Sequence, residues 1–236
     1  MTMGLIVFLF MIVLAVLYTL ARMQAGKLPV RKQRVVLKQS TSGNIIYRGL
    51  NGEMSGPVGT EVRRLLRESC LQSPLTATIP NSIIENIHTN SLQGKRADEI
   101  AAGLMALLPD MDYEQLESIA RTIIGKASTA LDRVRSEKIG IHWYVWETCQ
   151  DVRVRKSHRK MQGVLVAWND PPSPERLVGE KIEYGNYHAG ESIECRCCSL
   201  PLADLSEVRW PHRVYQRGSI QRMTRVQFKQ ISGMSE

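Results

Sequence analysis

Residues 146–163 read WETCQDVRVRKSHRKMQG, and residues 188–197 read HAGESIECRC. The first stretch opens on Trp146, crosses a loop carrying Thr148, Asp151, Arg153, Arg155 and His158, and closes on Gly163. It continues a run, IHWYVW at 141–146, that is rich in β-branched and aromatic residues and follows Gly140. In a strand, Ile141, Trp143 and Val145 would face one way and His142, Tyr144 and Trp146 the other. Large aromatics on both faces predict a strand covered on both sides. His142 is read as structural.

Upstream the pattern is helical. Val62, Leu65 and Leu66 share a face from residue 61 onward, and Ile100, Leu104, Leu107 and Leu108 repeat at helical spacing up to Pro109. Asp112 followed by Gln115 has the form of a capping box. It opens a long amphipathic helix whose stripe is Leu116, Ile119, Ile123, Ala127, Ala130, Leu131 and Val134. Residues 23–60 form a basic linker and a Gly/Ser/Asn-rich stretch, in which Ile45, Ile46 and Tyr47 suggest a short strand.

The chain begins differently. Residues 4–20, GLIVFLFMIVLAVLYTL, carry no charge and would cover about 25 Å as a helix, close to a bilayer core. Arg22, Lys27, Arg31, Lys32, Arg34 and Lys38 follow it and no basic residue precedes it, so the bulk of the chain is expected on the cytoplasmic side. A cleaved signal peptide lacks its charged n-region here. A buried helix or an assembly contact is the bland alternative.

The 236 residues carry a formal net charge of +8, which favours phosphate or anionic lipid as a partner. Five cysteines, Cys70, Cys149, Cys195, Cys197 and Cys198, with three of them inside four residues, argue against a secreted disulfide scaffold and toward a reducing compartment or a metal site. P-loop, GxGxxG-after-strand, HExxH and nucleophile-elbow motifs are absent from the sequence.

Taken together, Trp-x-Thr at 146–148, Asp-x-Arg-Val-Arg-x-x-His at 151–158, Gly163, and Gly190 through Cys195-Arg196-Cys197 resemble the phage Mu F-like minor head protein family. Ala120-Arg121-Thr122, Gly140-Ile141, Trp168 and the Pro171-Pro172 pair agree with that resemblance, which runs from about residue 92 to 202. Ala189 stands where the family usually has Pro, Cys198 is additional, and the apolar N-terminus is a departure from soluble head components. The resemblance implies a non-enzymatic virion protein of head morphogenesis near the portal and packaged double-stranded DNA. The apolar segment adds an expectation of host inner-membrane association during genome delivery. A membrane-tethered nuclease or toxin of prophage origin is the alternative reading.

Relatives with Cys-x-x-Cys in place of Arg155 to His158 would have four soft ligands for a structural zinc. Here Arg155 cannot ligate, which leaves His158, His188, Cys195 and Cys197 as metal candidates. The competing expectation joins Asp151, Arg155 and His158 in one buried hydrogen-bonded network. A nuclease would instead use His158 as base with Arg stabilising the developing charge. Arg213, Arg217, Arg222 and Arg225, interleaved with aromatics, are the candidate nucleic-acid contacts. The expected architecture is α+β: an anchor at 1–22, a basic linker at 23–60, a helical region at 61–138, a cysteine-containing module at 139–204 and a basic tail at 205–236.

Overall fold

A computed structural model of the chain describes residue 50 and residues 52–234. The expected anchor at 4–20, the basic linker up to residue 49 and the short strand near Tyr47 lie outside the described residues. Among the described residues no helix is long and apolar enough to cross a membrane.

Among the described residues four helices come first: α1 (Pro57–Leu71), α2 (Asn81–Leu92), α3 (Ala97–Leu104) and α4 (Tyr113–Lys138). The capping box is formed as expected, with Asp112 accepting from the Gln115 amide at 2.8 Å and Gln115 returning the favour to the Asp112 amide at 3.2 Å. Helix α4 is the spine. Its Leu116, Ile119, Ile123 and Ala127 pack with Leu66, Ile83, Ile84, Ile87, Ile100 and Leu104 in one apolar cluster. Further along, Ala130 and Val134 pack on Met54, Val58 and Val62.

Two departures from the sequence reading stand out. Helix α2 falls inside the helical region expected at 61–138, but no stripe singled it out: only Ile83, Ile84 and Ile87 carry its apolar face among Asn, Ser and Thr. Helix α3 ends at Leu104, so Leu107 is left 54% exposed where it was expected on the buried stripe. Pro109 lies too close for the helix to add another turn.

The rest of the chain builds a five-stranded sheet in the order β3-β1-β2-β4-β5, from β1 (Trp143–Glu147), β2 (Val164–Ala167), β3 (Cys198–Pro201), β4 (His212–Gln216) and β5 (Ser219–Met223). Strand β1 runs antiparallel to both β2 and β3, while β2 meets β4 in parallel at Leu165 and Val214. Short helices α5 (Lys156–Met161) and α6 (Pro174–Leu177) lie in the connections. The aromatic alternation in β1 holds: Tyr144 and Trp146 enter one cluster with Trp168, Tyr187 and Cys197, while Trp143 enters another with Leu165, Val214 and Phe228.

That second cluster changes the status of residues 205–236, set apart in the sequence as a basic tail. They supply the β4–β5 hairpin and helix α7 (Arg225–Ser232), and Phe228 of α7 packs edge-on against Trp143 with ring centroids 4.8 Å apart. The segment is part of the fold because the sheet has two apolar faces and the second needs a cover.

Candidate metal centre

The loop between β1 and β2 is closed at its base. Gly163 N–H donates to the Trp146 carbonyl at 2.8 Å, and the amide and hydroxyl of Thr148 both donate to Gln162 Oε1, at 2.8 and 2.6 Å. Gly163 has φ +68, which favours glycine at that reversal. Asp151 caps its own loop by accepting from the Arg153 amide, and its carboxylate grips Arg196 in a bidentate pair at 2.5 and 2.8 Å. The Arg196 guanidinium holds the Asp151 carboxyl down at about 2. Arg155 donates to Ser192 Oγ at 2.9 Å and to the Ile193 carbonyl at 2.6 Å. Arg153 is exposed. These bonds tie the first motif stretch to the second.

Helix α4 braces the second stretch from behind. Thr129 Oγ1 donates to the Ala189 carbonyl at 2.6 Å, and Thr122 Oγ1 accepts from the Glu194 amide at 3.1 Å. Gly190, at φ +95, and Gly125 of α4 come so close that a Cβ on Gly125 would lie 2.6 Å from the Gly190 carbonyl oxygen. The motif glycine is therefore a contact requirement as well as a conformational one.

At the centre stands His158 on α5, 3% exposed. Its Nδ1 lies 3.5 Å from Cys195 Sγ and 3.5 Å from Cys197 Sγ. The three ligand atoms lie within 4.8 Å of one another. On the far side, His158 Nε2 is 3.0 Å from the Tyr187 hydroxyl, which donates at 2.6 Å to Glu175 Oε1. Tyr187 has one proton and gives it to the carboxyl, so His158 must donate through Nε2. Nδ1 is then the nitrogen aimed at the sulfurs. Trp146 covers the imidazole edge-on at 5.8 Å.

The two thiols respond as a pair. The hydrogen bond from the Cys197 thiol favours the Cys195 thiolate and pulls it well below the usual thiol range, whereas the neighbouring Cys195 sulfur, together with burial, pushes Cys197 up. A metal ion bound here would take both sulfurs as thiolates, because the cation offsets the repulsion between two buried anions. A tetrahedral zinc with Zn–S near 2.3 Å and Zn–N near 2.1 Å requires an N···S separation of roughly 3.6 Å. The observed 3.5 Å to each sulfur fits that geometry.

The remaining candidates fall elsewhere. His188 does not join the ligand set: its Nδ1 is 3.1 Å from the Tyr144 hydroxyl and its ring is edge-on to Trp168 at 5.2 Å. The turn at Ala189 and Gly190 separates it from the cysteines, and burial pulls its imidazole pKa down. Asp151, Arg155 and His158 do not form one buried network; each has a different partner, and Asp151 is at the surface. His158, the residue a nuclease reading would use as base, has Nε2 against Tyr187 and Nδ1 against the two sulfurs. Tyr187 and Glu175 were not legible as site residues. Glu175 sits in a short helix directly after Pro174, and no spacing rule connects it to His158.

Among the basic candidates, Arg213 and Arg222 are direct cross-strand neighbours on β4 and β5. With Lys160 and Arg176 they line a groove of about 520 Å³. Within it the Arg213 guanidinium donates to the carbonyls of Lys160 and Gln162, and Arg176 pairs with Glu183 at 2.7 Å. Arg217 is at the hairpin turn, its amide donating to Asp170, and Arg225 opens α7; neither lines the groove.

Comparison with known proteins gives two matches. The chain matches the family described as phage Mu protein F like protein over residues 80–200. It is 26% identical over 136 residues to an uncharacterized protein of Haemophilus influenzae, an alignment that takes in 56% of this chain and 28% of that protein. The chain thus spans well under a third of the length of that relative. No solved structure matches. The matched residues contain the closed β1–β2 loop, His158, Gly190 and the two facing cysteines, and the chain belongs to the phage Mu protein F-like family.

Proposed function

We propose that this chain is a minor head protein of a tailed phage, acting without catalysis in head morphogenesis beside the portal and the packaged DNA. The observation that carries the reading is the interlock of residues 146–163 with residues 188–201 around His158, because it is the family's motif that builds the interlock. A set of buried, mutually bonded side chains is what an assembly module needs; a catalytic site would leave a base or nucleophile accessible to substrate. His158, Cys195 and Cys197 hold a structural zinc in this reading, supported by the tetrahedral N···S spacing and by the Tyr187–Glu175 relay that orients the imidazole. The arginine groove on β4 and β5 faces DNA phosphates, and residues 4–20 engage the host inner membrane as the genome leaves the head.

Deleting the gene from an inducible prophage, with complementation by wild-type or Cys197→Ser protein, tests the reading by electron microscopy of the lysate. Aberrant or DNA-free heads, restored by the wild-type copy, are expected. Normal infectious particles without the gene would remove the head role. Flotation with liposomes of anionic lipid tests the membrane step, which fails if removing residues 1–22 leaves the partition unchanged.

A further inference from the structure

The ligand set described above has three members, and a closed structural zinc site takes four. We propose that Cys149 is the fourth ligand, completing a site of three thiolates and one imidazole. The inference rests on the zinc reading and adds the residue that closes it.

His158, Cys195 and Cys197 line one small cavity with Cys149, Arg153, Val154, Arg155, Glu194 and Arg196. Most of its remaining lining residues cannot serve. Val154 has no donor atom, and the three arginines keep their protons. Arg155 is in addition bound to Ser192 and Ile193. Glu194 is directed to Arg121, 3.2 Å away on α4. Cys149 is left as the soft donor in that wall. Its sulfur stands outside the trio of atoms that lie within 4.8 Å of one another, so closure needs Cys149 to move toward the other three. Thr148 is pinned through Gln162, whereas Cys149 and Gln150 are exposed and Gln150 already sits at φ +54.

Charge argues the same way. Zinc with three thiolates and a neutral imidazole carries a net negative charge, whereas two thiolates, imidazole and water leave the site neutral. Arg153, Arg155 and Arg196 surround the cavity, which favours the anionic complex. Cys198, although adjacent to Cys197 in sequence, does not line the cavity.

The test uses the full chain, loaded with cobalt(II) as a spectroscopic probe and with zinc for stoichiometry. Wild type is expected to take up one metal ion with tetrahedral d–d bands and a sulfur-to-cobalt charge-transfer band. Cys149→Ser should lower that band by about a third, from three thiolates to two, and weaken zinc binding by at least the roughly 10–100-fold seen for loss of an outer-shell partner. Cys149→His should restore affinity while the band stays lowered, and Cys198→Ser should change neither. Zinc should also protect Cys149, but not Cys198, from alkylation read by mass spectrometry. An unchanged charge-transfer band in Cys149→Ser, or equal alkylation of Cys149 with and without zinc, overturns the assignment while leaving the three-residue site standing. Failure of wild type to bind either metal, or binding that survives Cys195→Ser with Cys197→Ser, overturns the zinc reading and this proposal together.

Discussion

Replacing Tyr187 by Phe removes one oxygen and keeps the ring, so the contact with Trp146 is retained while the bridge between Glu175 and His158 is lost. Glu175 is fully buried, and among the described residues its Oε2 accepts no hydrogen bond. Its Oε1 would keep only the Ser157 hydroxyl, at 3.3 Å. The His158 Nε2–H would lose its acceptor as well. A buried polar group left without a partner costs about 1–3 kcal/mol, and more when charged, so two such groups amount to roughly 3–5 kcal/mol. That is a large part of the ~5–15 kcal/mol expected for a whole domain. The cavity left by a hydroxyl is too small to alter the estimate. Guanidinium unfolding of metal-free protein, followed by the fluorescence of buried Trp146 and Trp168, measures the loss directly. Glu175→Gln in both backgrounds closes a double-mutant cycle, for which a coupling of at least about 1 kcal/mol is expected. A change below about 1 kcal/mol for Tyr187→Phe, or a strictly additive cycle, would refute the relay as a structural element.

Gly190→Ala should destabilise by about 2–4 kcal/mol in the same assay: its Cβ would lie 2.4 Å from Thr129 Oγ1 in a backbone region side chains rarely adopt. A neutral outcome would show that α4 and the motif loop are not in fixed contact. Acidification should also destabilise the fold. Burial lowers the imidazole pKa of both His88 and His188 below 6.5, so the unfolded chain takes up protons first and stability, full above 6.5, falls as the pH drops below it. The slope should reach up to about 1.4 kcal/mol per pH unit for each histidine, and a His88→Gln, His188→Gln double variant should flatten it. Finally, Arg213→Glu with Arg222→Glu should weaken duplex DNA binding and reduce the slope of log K against log salt by about 2. Arg225→Glu, outside the groove, should do much less; equal effects from both would assign the binding to net charge alone.

What the sequence disclosed and what it hid follow from the range of the forces involved. The capped helix α4 was legible because a capping box and a stripe at helical spacing are local signals. So was the two-faced strand β1, whose alternating aromatics can be covered only from both sides. The approach of His158 to Cys195 and Cys197 was expected from the motif resemblance, since no local rule brings residues 158 and 195 together. The same reasoning could not separate His158 from His188. Both precede the cysteines, and the choice is made by partners distant in sequence: Tyr187 and Glu175 for one, Tyr144 and Trp168 for the other. Residues 212–223 hid their strands behind exposed polar residues on both faces of the hairpin, with Arg213 opposite Arg222 on one and Gln221 opposite Val214 on the other. Helix α2 hid behind polar residues of low helix propensity and is held by the packing of Ile83, Ile84 and Ile87.

A role in head morphogenesis requires this chain to be part of a phage particle. Mass spectrometry of gradient-purified, nuclease-treated particles from the producing lysogen is the direct measurement. Peptides from residues 80–200 should co-purify with the heads, at a few copies relative to the major capsid protein. Their absence from complete particles, with the chain abundant in the same lysate, would contradict the account.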